Sequence, residues 1–529
     1  MAQRIGTAYG EGVNVADVLA RGYLPKELPP CFSSASLEPV AAAPLQVALA
    51  KSTSYPVNHS LPRQGGRRRL QVPNPLHFVR LCEAMRAHWA QIDNCVKSSR
   101  LSRSRPKADA HQQRAYVPRV PRGDVPRLRA RMRTYTPILL KADVTECYHS
   151  IYTHAVPWAL TDKATAKQNK NNKQWPPNII DEKLRSCQSG QTIGIPVGPD
   201  TSLIIAEVVL TGVDLLIEKE LGKSIQGYRY YDDYELGFDS HDDASRARTI
   251  IERSLHAFEL NLNRRKTVIL RSPAPLFERD WVREVQQFPF SAADATAARQ
   301  QSELLTFFDR LFRLAGDHPE DNVISYGLAR LRSLAVRPQN WALLQQLMFQ
   351  SVLADASALP DCLNELLRRH HAGQAVAPRN LSQCLNEIIC KHAPLGHGSE
   401  VAWALWGLLV FDRPITRAAG RALSGMGDDF VAILALEARA RQRTPDTLDF
   451  TQWNSNMSTQ DLYEEHWLLA YEANVRGFAP AGNDYVQADA PFAELKQRNV
   501  SFFVPPPAGQ IAQPPKAQAL PVAPGGPSP

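Results

Sequence analysis

The segment 227–238 places two adjacent acids, Asp232 and Asp233, between two short runs of aromatic and apolar residues. This pattern predicts two strands joined by a tight turn, with the carboxylates at the tip of the hairpin. Adjacent carboxylates repel each other, so a core gains nothing from placing them side by side. Carboxylate oxygens are hard ligands that suit Mg²⁺, which favours a metal site. Asp is also common in turns that bind no metal, which favours a surface hairpin. The pair therefore predicts either a metal-binding tip or an acidic surface hairpin.

A third acid lies upstream. Residues 137–144 form an apolar, strand-like run that contains Asp143 near its end. An acid at the end of one strand and two at a hairpin turn can converge on a shared pair of metal ions. Two ions about 3.5–4 Å apart clamp the attacking and leaving oxygens of an in-line phosphoryl displacement. The three acids together predict a site for phosphoryl transfer.

Two further segments fit a nucleotide-handling site. A loop rich in Gly and Pro, 188–202, opens a long apolar helix predicted over 203–217. Small residues let the backbone approach a flat ligand, and a helix N-terminus attracts phosphate. After the hairpin, residues 255–267 end an amphipathic helix and contain Lys266, a candidate to protonate or neutralise a leaving pyrophosphate.

In chain order the motifs are Asp143 with Tyr148 five residues later, Gly-Ile-Pro-x-Gly-Pro-x-x-Ser, Tyr-x-Asp-Asp and Leu-Asn-x-x-Lys-Thr. This order resembles motifs A to D of reverse transcriptases. The resemblance implies an α+β fold, with the fingers and palm of a right-hand polymerase (the reverse transcriptase fold). It implies two Mg²⁺ ions per active site, with Mn²⁺ as an alternative, and catalytic residues Asp143, Asp232, Asp233 and Lys266, of which the three Asp bind the metals.

The same resemblance implies a nucleotide-binding set of Tyr148, Val197, Gly198, Tyr230 and Tyr231. Tyr148 would be the steric gate against a ribose 2′-hydroxyl, which favours dNTPs, and Tyr230 would border the primer terminus. Many reverse transcriptases have Gln where this chain has Val197, so that contact must come from backbone or from another residue. RNA-dependent RNA polymerases usually have a second Asp in place of Tyr148 and Gly before Asp-Asp, and this chain has neither.

Segments 22–32 and 150–160 are similar to the abortive-infection (Abi) and unknown-group reverse transcriptases of bacteria, many of which act in antiphage defence. The function implied is an RNA-directed DNA polymerase with an antiphage role. Two alternatives stay open. One is untemplated or protein-primed synthesis by the same site, with the C-terminal tyrosines as candidate primers: Tyr463, Tyr471 and Tyr485. The other is a nucleic-acid-binding scaffold with a vestigial polymerase site. Segment 22–32 is equally compatible with a simple linker.

The net charge of +8 is unevenly distributed, because basic residues heavily outnumber acids over 97–141. Such a block is either a solvated face or a surface for template backbone and triphosphate. The predicted nucleic-acid contacts are Arg67, Arg69 and Arg114. The predicted partners are an RNA template, for which a dedicated non-coding RNA is one candidate, a DNA product and dNTPs. A homo-oligomer or a second defence protein is also compatible.

After about residue 290, apolar residues recur at helical spacing between prolines. This predicts an α-helical domain, either a HEAT-like array or a plain thumb plus bundle. The predicted divisions are an N-terminal extension (1–60), fingers and palm (61–288), the helical thumb or repeat domain (289–476) and a largely disordered Pro/Ala-rich tail (477–529). We interpret His370, His371, His392 and His397 as surface or packing histidines. Scattered cysteines and the lack of a leader or bilayer-length span predict a cytoplasmic protein without membrane contact.

Overall fold

The computed structural model describes residues 14–63, 66–222, 225–277, 279–291, 295–480 and 484–507. Two short helices, α1 (Val15–Arg21) and α2 (Glu38–Ala42), come first among the described residues. A two-stranded antiparallel hairpin follows, in which β1 (Val57–Arg63) pairs with β2 (Gly66–Val72). The rest of the predicted fingers consists of α3 (Pro75–Ala87), α4 (Trp89–Ser98), β3 (Pro106–Ala108), β4 (Tyr116–Pro118) and α5 (Val125–Met132).

The region predicted as palm is built on a four-stranded antiparallel sheet with strand order β6-β7-β5-β8. Its elements are β5 (Ile138–Asp143), α6 (Cys147–Ser150), α7 (Ala155–Leu160), α8 (Lys163–Gln168), α9 (Pro176–Ser186), α10 (Asp200–Leu221), β6 (Gln226–Tyr230), β7 (Asp233–Phe238), α11 (His241–His256), β8 (Val268–Arg271) and α12 (Trp281–Gln286). The predicted hairpin is β6-β7. The predicted apolar helix is α10. The predicted amphipathic helix is α11, but it ends at His256, so Lys266 lies in the connection between α11 and β8 and not in the helix.

Helix α10 forms the centre of this region. It contacts α4, α7 and α11, and most of its length is buried, which accounts for its nearly continuous apolar sequence. Strand β5 is also covered, because five of its six residues are buried. The end of a buried central strand is a rigid place from which to present Asp143.

The C-terminal region is helical, as predicted. It consists of α13 (Ala297–Asp317), α14 (Val323–Arg330), α15 (Trp341–Ala354), α16 (Leu359–His371), α17 (Pro378–His392), α18 (Gly398–Val410), α19 (Arg417–Leu423), α20 (Asp429–Ala440), α21 (Thr451–Ser455), α22 (Trp467–Val475) and α23 (Ala490–Gln497). Contacts run from α13 through α15 and α17 to α19, and from α14 through α16, α18 and α20 to α22. This is the packing of stacked helix pairs, as in the predicted array. The α+β class with an added helical domain is therefore confirmed.

Helix α18 is buried along its whole length and contacts α16, α17, α20 and strand β1. The helical domain and the fingers hairpin therefore share a packed interface. No helix within the described ranges combines the length and the apolar run that a bilayer requires.

The predicted disordered tail is wrong for residues 484–507, whereas 508–529 lie outside the described residues. Helix α23 and the fully buried Phe502 and Phe503 belong to the helical core. These two aromatic side chains, together with the other buried apolar side chains of the segment, bury apolar area that helps to offset the entropy cost of ordering the chain. Buried placement also argues against the candidate protein primers, since the three tyrosines are at most 3% exposed: Tyr463, Tyr471 and Tyr485.

The predicted N-terminal extension is an integral part of the fold from residue 14 onward, whereas 1–13 lie outside the described residues. Phe32 forms a strand bridge with Phe503, and the Ser33 N–H donates to the Phe502 carbonyl at 3.0 Å. The indole N–H of Trp403 donates to the Glu27 carbonyl at 2.9 Å. Segment 22–32 is thus a packed arm, and the linker interpretation is wrong for it.

Candidate active site

The three predicted acids lie together at one end of the sheet. Asp143 is the last residue of β5, and it stands directly opposite Asp233, the first residue of β7. Tyr230 pairs with Asp233, so the hairpin closes through a two-residue turn, Tyr231-Asp232. The Val144 N–H donates to the Asp232 carbonyl at 3.2 Å, which ties the turn to the end of β5. Strand pairing fixes the spacing of Asp143 and Asp233, and the hydrogen bond from Val144 holds the turn that carries Asp232.

The turn is held in an unusual backbone conformation. Tyr231 has a φ of 56°, in the left-handed region that a bulky residue rarely adopts. Its N–H donates to the Ser104 hydroxyl at 2.8 Å, and its carbonyl accepts from the Arg229 guanidinium at 2.8 Å. Tyr230 is mostly buried, and its hydroxyl donates to the Val120 carbonyl at 3.2 Å. These contacts hold the acidic turn from both sides.

A fully buried charge, Arg229, lies beneath the turn. Its guanidinium donates to Glu207 and to Asp214, in both cases at 2.8 Å, and these two acids lie on α10. Burial alone would raise the pKa of Glu207, but the ion pair with Arg229 holds that pKa below its usual value. Hydroxyl groups complete the network by donating to the two carboxylates: Ser99, Ser102, Ser104 and Tyr234. The network, which we call the Arg229 network, connects the β6-β7 hairpin to α10.

The sequence did not reveal the Arg229 network. Glu207 and Asp214 interrupt an otherwise apolar helix seven residues apart, which places them on the same face. Two features of the sequence could have predicted the network. One is the acid pair on the buried face of a helix, and the other is the Arg that lies close to the hairpin acids.

Asp143 already binds cationic and polar groups. The Asn263 side-chain amide donates to Asp143 Oδ1 at 2.8 Å, and the Lys266 ammonium group lies 3.1 Å from Oδ2. The Asn263 backbone N–H donates to the Asp143 carbonyl at 2.7 Å. Burial raises the pKa of Asp232, and the neighbouring Asp143 carboxylate raises it further. Acids that are crowded and desolvated in this way gain most from a nearby cation.

Tyr148 lies beside the acids. Burial raises its pKa well above the usual value, with smaller contributions from Cys147, Tyr231 and Asp232. The Ile195 N–H donates to the Tyr148 carbonyl at 2.8 Å, so the Gly-rich loop runs along the segment that carries this side chain. The structure thus brings Tyr148, the loop and the acidic turn together.

The N-terminal arm packs against the Gly-rich loop. The Asp200 N–H donates to the Gly22 carbonyl at 2.7 Å. Gly198 has a φ of 139°, and a Cβ at that position would lie 2.6 Å from the Pro25 ring. The loop also reaches the fingers hairpin, because the Gln71 N–H donates to the Val197 carbonyl at 2.9 Å. Val197 therefore uses its backbone to contact protein, and its side chain supplies no polar group for a nucleotide.

Of the three predicted nucleic-acid contacts, Arg67 and Arg114 form ion pairs within the protein, whereas Arg69 is exposed. Arg67 pairs with Glu400 of the helical domain, and Arg114 pairs with Asp200 at 2.5 Å and donates to the Leu24 carbonyl at 2.6 Å. Protein carboxylates neutralise both guanidinium groups, which disagrees with a predicted role in contacting phosphates. Arg69 is exposed. Two members of the basic block, Arg129 and Arg133, are also buried, and both pair with Glu235.

Two other arginines lie near the acids. Burial and the neighbouring Arg63 lower the pKa of Arg68, and Asp232 and Tyr148 act in the opposite direction. Arg63 in turn acts to lower the pKa of Asp232. Side chains alternate along a strand, so Arg68 points to the opposite face of β2 from Arg67 and Arg69. This alternation is the feature of the sequence that could have distinguished Arg68 from Arg67 and Arg69 as the residue near the acids.

The family model described as "Reverse transcriptase (RNA-dependent DNA polymerase)" matches residues 84–303. No curated protein matches the chain. The matched segment contains β5, the Gly-rich loop, the β6-β7 hairpin and Lys266, and it ends within the first turns of α13.

Among solved structures, the chain is similar to apo telomerase from Candida tropicalis, truncated of its C-terminal domain, with 16% identity and a TM-score of 0.30. The match covers 43% of this chain and 52% of that one, so the chain spans about half the length of this relative. It is also similar to telomerase from Candida albicans in complex with a TWJ fragment of telomeric RNA, with 11% identity, a TM-score of 0.30 and coverage of 60% and 62%. The similarity to the reverse transcriptase family therefore lies in residues 84–303.

Proposed function

We propose that this chain is an RNA-directed DNA polymerase that transfers nucleotides from dNTPs by a two-metal mechanism. The observation that carries the proposal is the convergence of Asp143, Asp232 and Asp233 at adjoining strand ends, above a buried network that holds their turn. A degenerate site retained for binding alone has no need to keep three crowded acids, because the burial and mutual repulsion of carboxylates cost stability.

The donor set fits divalent ions such as Mg²⁺ or Mn²⁺, which reverse transcriptase domains use. All three groups are carboxylates, the ligand type that hard cations prefer. Lys266, whose side chain is 58% exposed, places a cation on Asp143 Oδ2 and is free to swing away from it. The bound ions would supply charge neutralisation at the α-phosphate and activation of the primer 3′-hydroxyl.

The other residues then take distinct roles in the proposal. Arg68 and Arg63 neutralise the triphosphate, and Lys266 donates a proton to the leaving pyrophosphate. Tyr148 fills the space that a ribose 2′-hydroxyl would need, so the site selects dNTPs. Tyr231 and Gly198 bound the nucleotide pocket, and Tyr230 borders the primer terminus. Arg114 acts indirectly, by holding Asp200 and hence the start of α10.

The central experiment replaces both hairpin acids in Asp232→Ala/Asp233→Ala and measures dNTP incorporation on an RNA template. A matched control is Asp242→Ala/Asp243→Ala, which removes the adjacent acid pair in the first turn of α11. We expect no synthesis from the first variant and full activity from the second. The first variant should also unfold at the same temperature as wild type or higher, because a buried acid with a raised pKa is removed. DNA synthesis by the first variant would refute the mechanism.

The same assay separates the alternatives for template and primer. Product made with and without added RNA is sequenced, and a product that copies the RNA supports templated synthesis. Product that stays attached to the chain until protease treatment would instead show a protein primer. Sequencing of RNA that copurifies with the chain tests for a dedicated non-coding template.

We further propose a role in antiphage defence, in the cytoplasm of a bacterial cell. Support comes from the similarity of segments 22–32 and 150–160 to the Abi and unknown-group enzymes. Cells that carry the gene, the Asp232→Ala/Asp233→Ala form or neither are challenged with phages. Protection by the wild-type gene alone is the expected result, and equal plaque counts in all three would contradict the role.

A size measurement of the purified chain, alone and with coexpressed neighbours, tests for a homo-oligomer or a second defence protein.

A further inference from the structure

A second cluster of ligand-type side chains lies in the helical domain, remote in sequence from the acids. His392 ends α17, His397 precedes α18, and Glu400 lies in the first turn of α18. Gly396 turns the connection between them with a φ of 66°. This turn folds the chain back so that both imidazoles face the same carboxylate. The sequence spacing matched no familiar ligand motif, and we interpreted both histidines as surface or packing residues.

The three ligand atoms form a compact triangle. His392 Nδ1 lies 2.9 Å from His397 Nδ1, and Glu400 Oε1 lies 3.9 Å and 3.8 Å from those two nitrogens. The point equidistant from all three atoms lies about 2.1 Å from each, which equals the bond length of Zn²⁺ to imidazole nitrogen or carboxylate oxygen. An ion at that point is coplanar with the three atoms, so a tetrahedral site requires the two imidazole nitrogens to move apart from 2.9 Å to about 3.3 Å.

We propose that His392, His397 and Glu400 bind one divalent transition-metal ion, with Zn²⁺ as the preferred ion. Two imidazole nitrogens and one carboxylate oxygen favour Zn²⁺ over Mg²⁺, which prefers oxygen ligands. Three protein ligands leave a fourth position for water. The close contact between the two rings uses one Nδ1–H as donor, so binding of the ion requires that ring to carry its proton on Nε2 instead, with no net loss of a proton.

The second coordination layer connects this site to the fingers. Glu400 is 4% exposed, and it accepts hydrogen bonds from both terminal nitrogens of Arg67 on β2. An outer partner of this kind orients a ligating carboxylate. The ion would therefore hold β2 through Arg67. On the opposite face of the same strand, Arg68 points towards the polymerase acids. The site is a structural clamp between the helical domain and the fingers.

The test uses the full chain in the Asp232→Ala/Asp233→Ala background, so that the polymerase acids bind no metal. The protein is stripped with EDTA and dialysed against limiting Zn²⁺, and bound zinc is measured by elemental analysis. Co²⁺ is added in parallel, since its visible absorption reports nitrogen and oxygen ligands. We expect one equivalent of Zn²⁺ for this protein and a loss of that equivalent in His392→Gln/His397→Gln. The matched control is His370→Gln/His371→Gln, a neighbouring pair in the same domain, which should keep the zinc.

Equal zinc content in the His392→Gln/His397→Gln and His370→Gln/His371→Gln proteins would overturn the proposal, as would a parent protein that binds none. If the first variant fails to fold, the single variant His397→Gln replaces it, because that side chain is 25% exposed. A drop in zinc affinity of at least tenfold then supports the site, and an unchanged affinity refutes it. Zn²⁺ should also raise the unfolding temperature of the parent protein and leave that of the variant unchanged.

Discussion

Replacement of Arg229 by Met tests whether the buried ion network supports the acidic turn. Arg229 has no exposed surface, and it donates to Glu207, to Asp214 and to the Tyr231 carbonyl. Met keeps the apolar volume of the side chain and removes every donor. Two carboxylates are then left buried without their cation, and the acidic turn loses the hydrogen bond to its first residue.

The size of the effect follows from these contacts. Removal of one partner of a buried ion pair costs about 3–5 kcal/mol, and the hydrogen bond to Tyr231 adds about 1 kcal/mol. The hydroxyl groups that remain on Glu207 and Asp214 offset part of this loss. We expect the free energy of unfolding of the variant to be about 4 kcal/mol lower than that of the wild type near pH 7. The deficit should shrink as the pH falls, because the stranded carboxylates take up protons in the folded state.

The assay is urea unfolding at several pH values, combined with dNTP incorporation. Arg253→Met is the matched control, because its ion pair with Glu220 is exposed and such pairs contribute about 0–1 kcal/mol. Arg229→Met should also lower the turnover number at temperatures where the protein stays folded, with little change in the KM for dNTP. Equal stability losses in Arg229→Met and Arg253→Met would refute the argument that the turn depends on the network.

Three further predictions concern other parts of the chain. Tyr148→Ala should raise ribonucleotide incorporation at least tenfold relative to dNTPs, measured by competition between the two. Arg68→Ala should raise the KM for dNTP at least tenfold, and Arg69→Ala, on the opposite face of β2, should not. Burial raises the pKa of Glu472 to about 7 from 4.5, so its folded form binds the proton more tightly than the unfolded chain does. The stability of the wild type should therefore fall by about 3 kcal/mol relative to Glu472→Gln as pH rises from about 4.5 to 7, measured by urea unfolding.

Each of these has a clear contrary result. Unchanged sugar discrimination in Tyr148→Ala would remove that side chain from the role of gate. Equal KM values for Arg68→Ala and Arg69→Ala would show that strand alternation does not select the triphosphate contact. A constant difference in stability between wild type and Glu472→Gln across this pH range would show that Glu472 does not titrate there.

The sequence predicted the parts of the site that depend on local geometry. Hairpin pairing depends on alternating apolar residues around a short turn, so the positions of Asp232 and Asp233 follow from residues close in sequence. Asp143 could be added because its strand is equally clear. The acids meet at one sheet end in the structure, whereas their role in catalysis stays a prediction.

Contacts between distant segments could not be predicted in the same way. Arg67 was chosen for its place in a basic run, yet its partner, Glu400, lies more than 300 residues further along the chain. Phe502 and Phe503 are buried against aromatic rings that are distant in sequence, among them Tyr23 and Phe32. Composition reports the average polarity of a segment and carries no information about such a partner surface.

The bridge between Phe32 and Phe503 has a consequence for how the protein is made. The ribosome must synthesise about 470 further residues before the arm that packs against Gly198 meets its C-terminal anchor. Contacts of such long sequence separation form late, because the closure of a large loop precedes any gain in contact energy. We therefore expect the nascent chain to lack an ordered Gly-rich loop until residue 503 has left the ribosome.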